Sequence, residues 1–125
     1  MALTIKVLAN NVLSTVLTNN ITAPLYMPAT ATPAKVAIVK AWRFTNTGTT
    51  PVKINAYFQK NVANTGGVFL TSAARRILPK DLVLAPGYSA VDDVDLTLGS
   101  GDGLFAVSDT ATAVDYVVSG VERDA

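Results

Sequence analysis

The side chains that carry most enzyme chemistry are missing from this sequence. Its 125 residues include no histidine and no cysteine. Ser-His-Asp and Cys-His nucleophilic systems, zinc sites built from the usual ligands, and the commonest general base at neutral pH are therefore excluded. A serine–lysine pair stays formally open, but no spacing places a serine beside a lysine. We predict that the protein is not an enzyme and that it has no cofactor.

The carboxylates are the next candidates for chemistry. Asp92, Asp93, Asp95 and Asp102 offer the oxygen ligands that Ca²⁺ prefers. Neighbouring residues of a strand point to opposite faces, so carboxylates at this spacing do not point toward one ion without help from the fold. Glycoside hydrolysis needs two paired carboxylates, and these lie in predicted turns and on strand surfaces. We predict no metal site here and interpret the cluster as a solvated acidic patch that can meet a basic partner surface.

The glycine-rich segment 99–103, Gly-Ser-Gly-Asp-Gly, invites comparison with a phosphate-binding loop. It lacks the Gly-Lys-Ser/Thr ending and the following helix that would present backbone N–H groups to a phosphate. Its flanks are typical of strands, so the segment predicts a hairpin turn.

Four aromatic residues could line a sugar-binding face: Trp42, Tyr57, Tyr88 and Tyr116. Trp42 and Tyr116 fall on apolar strand faces, which predicts core packing for both. Tyr57 falls on the polar side of its strand and is the better candidate for an exposed contact.

The net charge of +1 hides a division along the chain. Up to Lys80 there are nine basic residues and no acidic one, and from Asp81 onward nine acidic residues face a single Arg123, so the segments carry +9 and −8. Either strands of the two halves alternate in space and the charges intermix, or the subunit is bipolar and binds head to tail to a neighbour. The candidate partner interface comprises Arg75, Arg76, Lys80, Asp92, Asp93, Asp95 and Tyr57. The basic residues are otherwise spread singly without a recognition motif, so no nucleic-acid partner is predicted.

The elements that position these residues are predicted to be strands. Valine, threonine and isoleucine are abundant, turn residues recur at short intervals, and no stretch keeps helical spacing. A first hairpin is predicted from 35–47 and Val52–Gln59, and a second from 104–108 and 113–122. Lys40 falls on the apolar face of the first strand, which predicts either a β-bulge near residues 39–40 or a place at the rim.

The first thirty-odd residues differ in character. Segments 3–8 and 12–18 predict short strands, and Pro24, Pro28 and Pro33 then favour an extended connection or an edge strand. Residues 1–33 are therefore either locally paired edge strands with a loop or an arm that packs on a neighbouring subunit.

These patterns predict one all-β domain over residues 1–125, an antiparallel β-sandwich that can take the jelly-roll form, with an extended amino-terminal arm and a sandwich core over 34–125. No apolar run is long enough to span a bilayer, so no membrane partner is predicted. Only 15% of residues are charged, which favours a homo-oligomer with covered surfaces.

Four short pieces share a layout with a known group of proteins. They are Phe-Thr-Asn-Thr-Gly-Thr-Thr-Pro-Val at 44–52, Leu-Ala-Pro-Gly-Tyr at 84–88, Leu-Gly-Ser-Gly-Asp-Gly-Leu-Phe-Ala at 98–106 and Val-Ser-Gly-Val-Glu at 118–122. In this the chain resembles the small β-sandwich virion proteins of tailed bacteriophages, over about residues 35–122. The inserted Ser100-Gly101 lengthens the usual Gly-Asp turn of that layout.

The resemblance implies a structural role and supplies no catalytic residues. It implies a virion protein assembled in the host cytoplasm, most simply a capsid decoration (cement) protein that binds the major capsid protein and stabilises contacts between its subunits. A trimer is implied by the same analogy. A neck or tail ring component, which would bind other virion subunits, and a carbohydrate- or receptor-binding module are the alternatives.

Overall fold

Strands whose side chains alternate between an apolar and a polar face account for nearly all regular structure. The computed structural model describes residues 3–125. The strands are β1 (Leu3–Val12), β2 (Lys35–Asn46), β3 (Val52–Gln59), β4 (Ala74–Arg76), β5 (Leu82–Leu84), β6 (Ser89–Asp92), β7 (Leu96–Leu98), β8 (Gly103–Ser108) and β9 (Val114–Asp124). A short 3₁₀ helix spans Val62–Thr65. Within residues 3–125, no helix is long and apolar enough to cross a membrane.

The strands form two antiparallel sheets. Sheet A has the order β1-β9-β2, with β6 and β7 end to end on the far side of β2. Sheet B pairs β8 with β3, and β4 and β5 lie end to end on the far side of β3. A bridge between Tyr26 and Leu104 adds the segment before β2 to the outer side of β8.

The pairing is that of a jelly roll. The β4/β5 and β6/β7 pairs each fill one strand position, so the chain passes through eight positions when the Tyr26 segment is included. The first pairs with the eighth, the second with the seventh, the third with the sixth and the fourth with the fifth. Such a pattern is one long antiparallel hairpin rolled into two sheets. The predicted all-β sandwich is therefore confirmed.

Both predicted hairpins are wrong in their pairing. β2 and β3 have the predicted positions, but β2 lies in sheet A and β3 in sheet B, and residues 47–51 form an arch between the sheets. The same holds for β8 and β9. A period of two identifies a half-buried strand without identifying its partner, and both members of each pair turn their apolar side to the shared core.

The bulge predicted near residues 39–40 is confirmed. Val39 pairs with Gly120 and Ala41 with Ser119, so Lys40 is the extra residue. The bulge also reverses the predicted face of the first half of β2, because Ala37 and Val39 are buried while Ile38 points outward.

The amino-terminal segment is docked on its own chain. β1 is one unbroken strand through Asn10 and Asn11, and it forms the edge of sheet A beside β9. The prediction of two short strands at 3–8 and 12–18 is therefore wrong, because one strand runs through the asparagines and ends at Val12, whereas an edge strand is present. Residues 13–34 then run as an extended connection to sheet B, where Leu25 N–H donates to the Leu104 carbonyl at 2.7 Å. Met1 and Ala2 of the predicted arm lie outside the described residues.

The main hydrophobic core lies between the sheets, and a smaller hydrophobic cluster lies on the outer side of sheet B. The main cluster is built on Trp42, Phe44 and Ile54 and takes Leu13 from the predicted arm. Val62, Phe69 and Phe105 form a second cluster where loop 60–73 and residues 13–34 cover part of the outer face of sheet B.

Candidate functional surfaces

Opposite charges intermix on the surface of the sandwich. Each of four ion pairs joins a basic residue of the first half to an acidic residue of the second half, and three of them involve lysines of β1 or β2 in sheet A. They are Lys6–Glu122 at 3.1 Å, Lys35–Asp124, Lys40–Asp95 at 2.8 Å and Lys60–Asp102 at 3.8 Å. The intermixed interpretation of the charge division is therefore the one that the structure supports.

The predicted interface residues separate into two groups. Arg75, Arg76 and Lys80 lie on or just after β4 in sheet B, near Tyr57 of β3. The acidic residues Asp92, Asp93 and Asp95 lie at the end of β6 and in the break before β7, in sheet A. Among residues 3–125, no three acidic side chains come close enough to hold a metal ion.

Tyr57 and Arg76 are the members of this set that touch each other. They are paired across β3 and β4, and the Arg76 guanidinium lies over the Tyr57 ring, 5.0 Å from its centroid. Arg76 Nη1 also donates to Asn55 Oδ1 at 2.6 Å, and the Asn55 amide donates to Asp81 Oδ1 at 3.0 Å. This Asn55 hydrogen bond is the main cause that lowers the pKa of the exposed Asp81 carboxyl.

An open groove of about 490 Å³ lies beside this pair on the outer face of sheet B. Its floor comes from the strands and its wall from residues 15–17 and 69–71, which lie far apart in sequence. The lining residues are Thr15, Leu17, Tyr57, Phe69, Thr71, Ala74, Arg76 and Val107. The alternation in β3 indicated Tyr57, but no sequence signal joined it to Leu17, Phe69 or Thr71.

A second surface, the outer face of sheet A, carries several exposed apolar side chains among polar ones. One row of paired residues crosses all four strand positions: Ile5, Val121, Ile38 and Thr97. Ile5 is 83% exposed, and Val7, Val91 and Val117 are further exposed apolar residues of the same sheet. We define the apolar face as Ile5, Val7, Ile38, Val91, Val117 and Val121.

A shallow cavity of about 120 Å³ opens on this apolar face. Its lining includes Val36, Ile38, Thr97, Val121 and Arg123. Such a cavity next to a protruding side chain is typical of a surface that receives and inserts apolar anchors. The sequence does not predict this face, because alternation along a strand does not distinguish an exposed isoleucine or valine from a buried one.

The other aromatic candidates and the glycine-rich segment lie in the core or in turns of the fold. Trp42 and Tyr116 are buried in the core, as predicted, and Trp42 Nε1 has no hydrogen-bond partner within residues 3–125. Tyr88 is exposed in the turn between β5 and β6. Segment 99–103 is a turn, but it links β7 of sheet A to β8 of sheet B, so the predicted hairpin turn is wrong. In this turn buried Asp102 accepts hydrogen bonds from Gly99 N–H and Asn61 N–H, both at 2.9 Å.

Comparison with known proteins assigns no family to this chain. No protein-family model matches it, and neither a curated protein nor a solved structure matches it. A proposal for its function therefore rests on the groove of sheet B, on the apolar face of sheet A and on the sequence layout of residues 35–122.

Proposed function

We propose that this protein is a structural component of a tailed-bacteriophage particle, a decoration protein that docks on the outer capsid through the apolar face of sheet A. The observation that carries the proposal is this set of exposed apolar side chains, with the row through Ile5, Val121 and Ile38 at its centre. Monomeric proteins rarely expose large contiguous apolar patches, and those that do usually bind a partner there. The phage particle as the setting is supported by the layout that the sequence shares with virion proteins.

The dimensions of the face suit a protein interface. Four strand positions about 4.8 Å apart and about 30 Å long give the whole outer face of sheet A, polar residues included, a footprint of roughly 600 Å². A standard interface covers about 800 Å² on each partner. Ile5 stands at one end of the row that continues through Val121 and Ile38, and it is the most exposed apolar residue of that row. Insertion of such a side chain into a capsid pocket would make it an anchor of the interface.

The mechanism needs no chemistry. A protein that binds the assembled shell and not the free subunits stabilises the shell by mass action. The major capsid protein is therefore the proposed partner, and each bound copy adds contacts that exist only after assembly.

A place in the neck or tail is the rival within the same particle. Ring formation through a bipolar subunit was its main support, and the four ion pairs now satisfy many of those charges inside one chain. The decoration role is favoured because it needs an apolar contact face and no charge pole. A trimer remains a prediction from the resemblance.

The proposal is tested by replacing Ile5 with aspartate. Ile5→Asp should weaken binding to capsids assembled without this protein by tenfold or more, because a charge would replace an apolar anchor that the contact buries. The matched control is Ile21→Asp, since Ile21 is 73% exposed but lies in the segment that covers sheet B. Equal binding by wild type and both variants, or equal loss in both variants, would contradict the docking surface.

A further inference from the structure

We propose that the groove beside Tyr57 and Arg76 binds a saccharide that carries a carboxylate group. The groove lies on sheet B, on the opposite side of the sandwich from the apolar face. A copy docked through sheet A would therefore present this groove outward. The inference does not depend on docking, because it concerns the isolated protein.

The guanidinium of Arg76 is held in place before any ligand arrives. It packs against the Tyr57 ring, and one N–H group donates to the Asn55 amide oxygen. A guanidinium has five N–H donors in a fixed fork. Within residues 3–125, Arg76 forms no salt bridge, and its hydrogen bond to Asn55 uses one N–H group. Most of the N–H groups of the fork therefore remain available to a carboxylate.

Tyr57 positions the arginine and is not a stacking platform for a sugar ring. The Arg76 guanidinium lies over the Tyr57 ring. The centroids of the Tyr57 and Phe69 rings are 5.3 Å apart, and the two rings make an interplanar angle of 59°. The sequence-based expectation of an openly exposed Tyr57 is therefore corrected, because the ring is half-buried between two side chains.

The rest of the lining suits a ring with hydroxyl groups. The side-chain hydroxyls of Thr15, Thr71 and Tyr57 border the groove, and none of the hydrogen bonds formed within residues 3–125 uses them. Leu17 and Val107 supply apolar contact for the C–H surface of a sugar. A volume of 490 Å³ lies within the usual range of small-molecule binding sites.

The choice of a carboxylate follows from shape and charge. A planar guanidinium fork matches a planar carboxylate through two parallel hydrogen bonds. A neutral sugar would use the hydroxyls and the apolar lining alone and would leave the open part of the Arg76 fork without a bidentate partner. The nearby Asp81 carboxyl interacts with Arg76 electrostatically but forms no ion pair with it within residues 3–125.

The test is a titration of the ¹⁵N-labelled protein with sodium glucuronate, followed by amide chemical shifts. Glucose lacks the carboxylate and acetate lacks the ring, and both serve as ligand controls. We expect saturable shifts at the amides of Tyr57, Phe69 and Arg76 with glucuronate, and binding at least tenfold weaker for glucose and for acetate. A matched pair of variants is available because Arg75 and Arg76 are consecutive strand residues that point to opposite faces.

Arg76→Gln should weaken glucuronate binding tenfold or more, while Arg75→Gln, with the same loss of charge, should bind as wild type does. Arg76→Lys should also lose most of the affinity, because an ammonium group lacks the planar fork. No saturable shift with glucuronate, equal binding of glucuronate and glucose, or equal losses in Arg75→Gln and Arg76→Gln would overturn the proposal. None of these results depends on whether the protein binds a capsid.

Discussion

At the scale of single residues, two buried amides hold the loops to the sandwich. The fully buried Asn46 donates to the carbonyls of Thr50 and Leu84, both at 2.9 Å, and accepts from Gly48 N–H at 2.9 Å. Gln59 donates to the Val68 carbonyl and accepts from Leu70 N–H. Asn46 thus ties the arch after β2 to the end of β5, which explains why an Asn-Thr-Gly sequence stands there.

Replacement of Asn46 by aspartate should destabilise the fold. The carboxylate keeps the acceptor for Gly48 but loses both donated hydrogen bonds and places a charge in the core. We expect a loss of about 2–4 kcal/mol in the free energy of unfolding. Urea unfolding followed by the fluorescence of the single Trp42 measures it. Asn10→Asp, on an exposed position of β1, is the control and should change little.

A second residue-scale prediction concerns pH. Glu122 accepts hydrogen bonds from Tyr26 Oη at 2.6 Å and from Lys6 Nζ at 3.1 Å, and the Tyr26 hydrogen bond is the main cause that lowers the Glu122 pKa below its ordinary 4.5. Burial, followed by the hydrogen bond to Glu122, raises the pKa of Tyr26. A lowered carboxyl pKa adds stability above its ordinary pKa, and this stability is lost as the pH falls through the folded-state value.

Tyr26→Phe removes the hydroxyl donor and should cost about 1–2 kcal/mol near neutral pH, since the acceptor is charged. The difference from wild type should shrink toward pH 3, as the Glu122 carboxylate becomes protonated. Tyr88→Phe is the control, because Tyr88 is exposed and its hydroxyl has no hydrogen bond within residues 3–125. A Tyr26→Phe deficit that is the same at both pH values would show that Glu122 is not the titrating partner.

At the scale of elements, β9 is the strand on which sheet A depends. It pairs with β1 on one side and β2 on the other, and both partners contain a bulge opposite residues 118–120. Gly120 is required at this point, because a Cβ atom there would lie 2.1 Å from the Ile38 carbonyl oxygen. Backbone contacts of this kind cannot be relieved by a side-chain rotation.

Gly120→Ala should therefore cost about 3 kcal/mol or more in the free energy of unfolding, or prevent folding. Ser119→Ala, at the neighbouring half-buried position, should cost less than about 1 kcal/mol and serves as the control. Chemical unfolding of both variants gives the comparison. A Gly120→Ala variant as stable as Ser119→Ala would show that the close approach of β2 and β9 at the bulge is wrong.

The elements also show how far sequence reasoning reaches. Period-two alternation identified β3 and most of β2 and β9, and the misplaced Lys40 indicated the bulge. Alternation could not identify which strands pair. β2 pairs with β9, which lies at the other end of the chain, and alternation carries no information about such distant partners. Alternation therefore predicts hairpin turns where the structure has arches between the sheets.

The functional surfaces were predicted less well, for a related reason. The groove needs Leu17, Tyr57, Phe69 and Arg76 together, and only the rolled topology brings these segments to one place. The apolar face was hidden because an exposed isoleucine or valine has the same sequence pattern as a buried one. What sequence did indicate was Tyr57 on a polar face and the density of basic residues at Arg75-Arg76.

At the scale of the whole molecule, the two sheets present different surfaces. Sheet A carries the apolar face, whereas sheet B carries the groove with Arg76, and the ion pairs spread both signs of charge over the sandwich. A protein with one contact face and one outward face suits the covering of a shell. It does not require any charge pole or any catalytic residue.

The most direct test of the central claim is the number of copies of this protein in purified phage particles, measured by quantitative mass spectrometry against the major capsid protein. A decoration protein should be present in numbers comparable to the capsid subunits that it clamps. A copy number limited to a single ring would place it in the neck or tail and contradict docking over the shell. Its absence from the particles would contradict a virion role altogether.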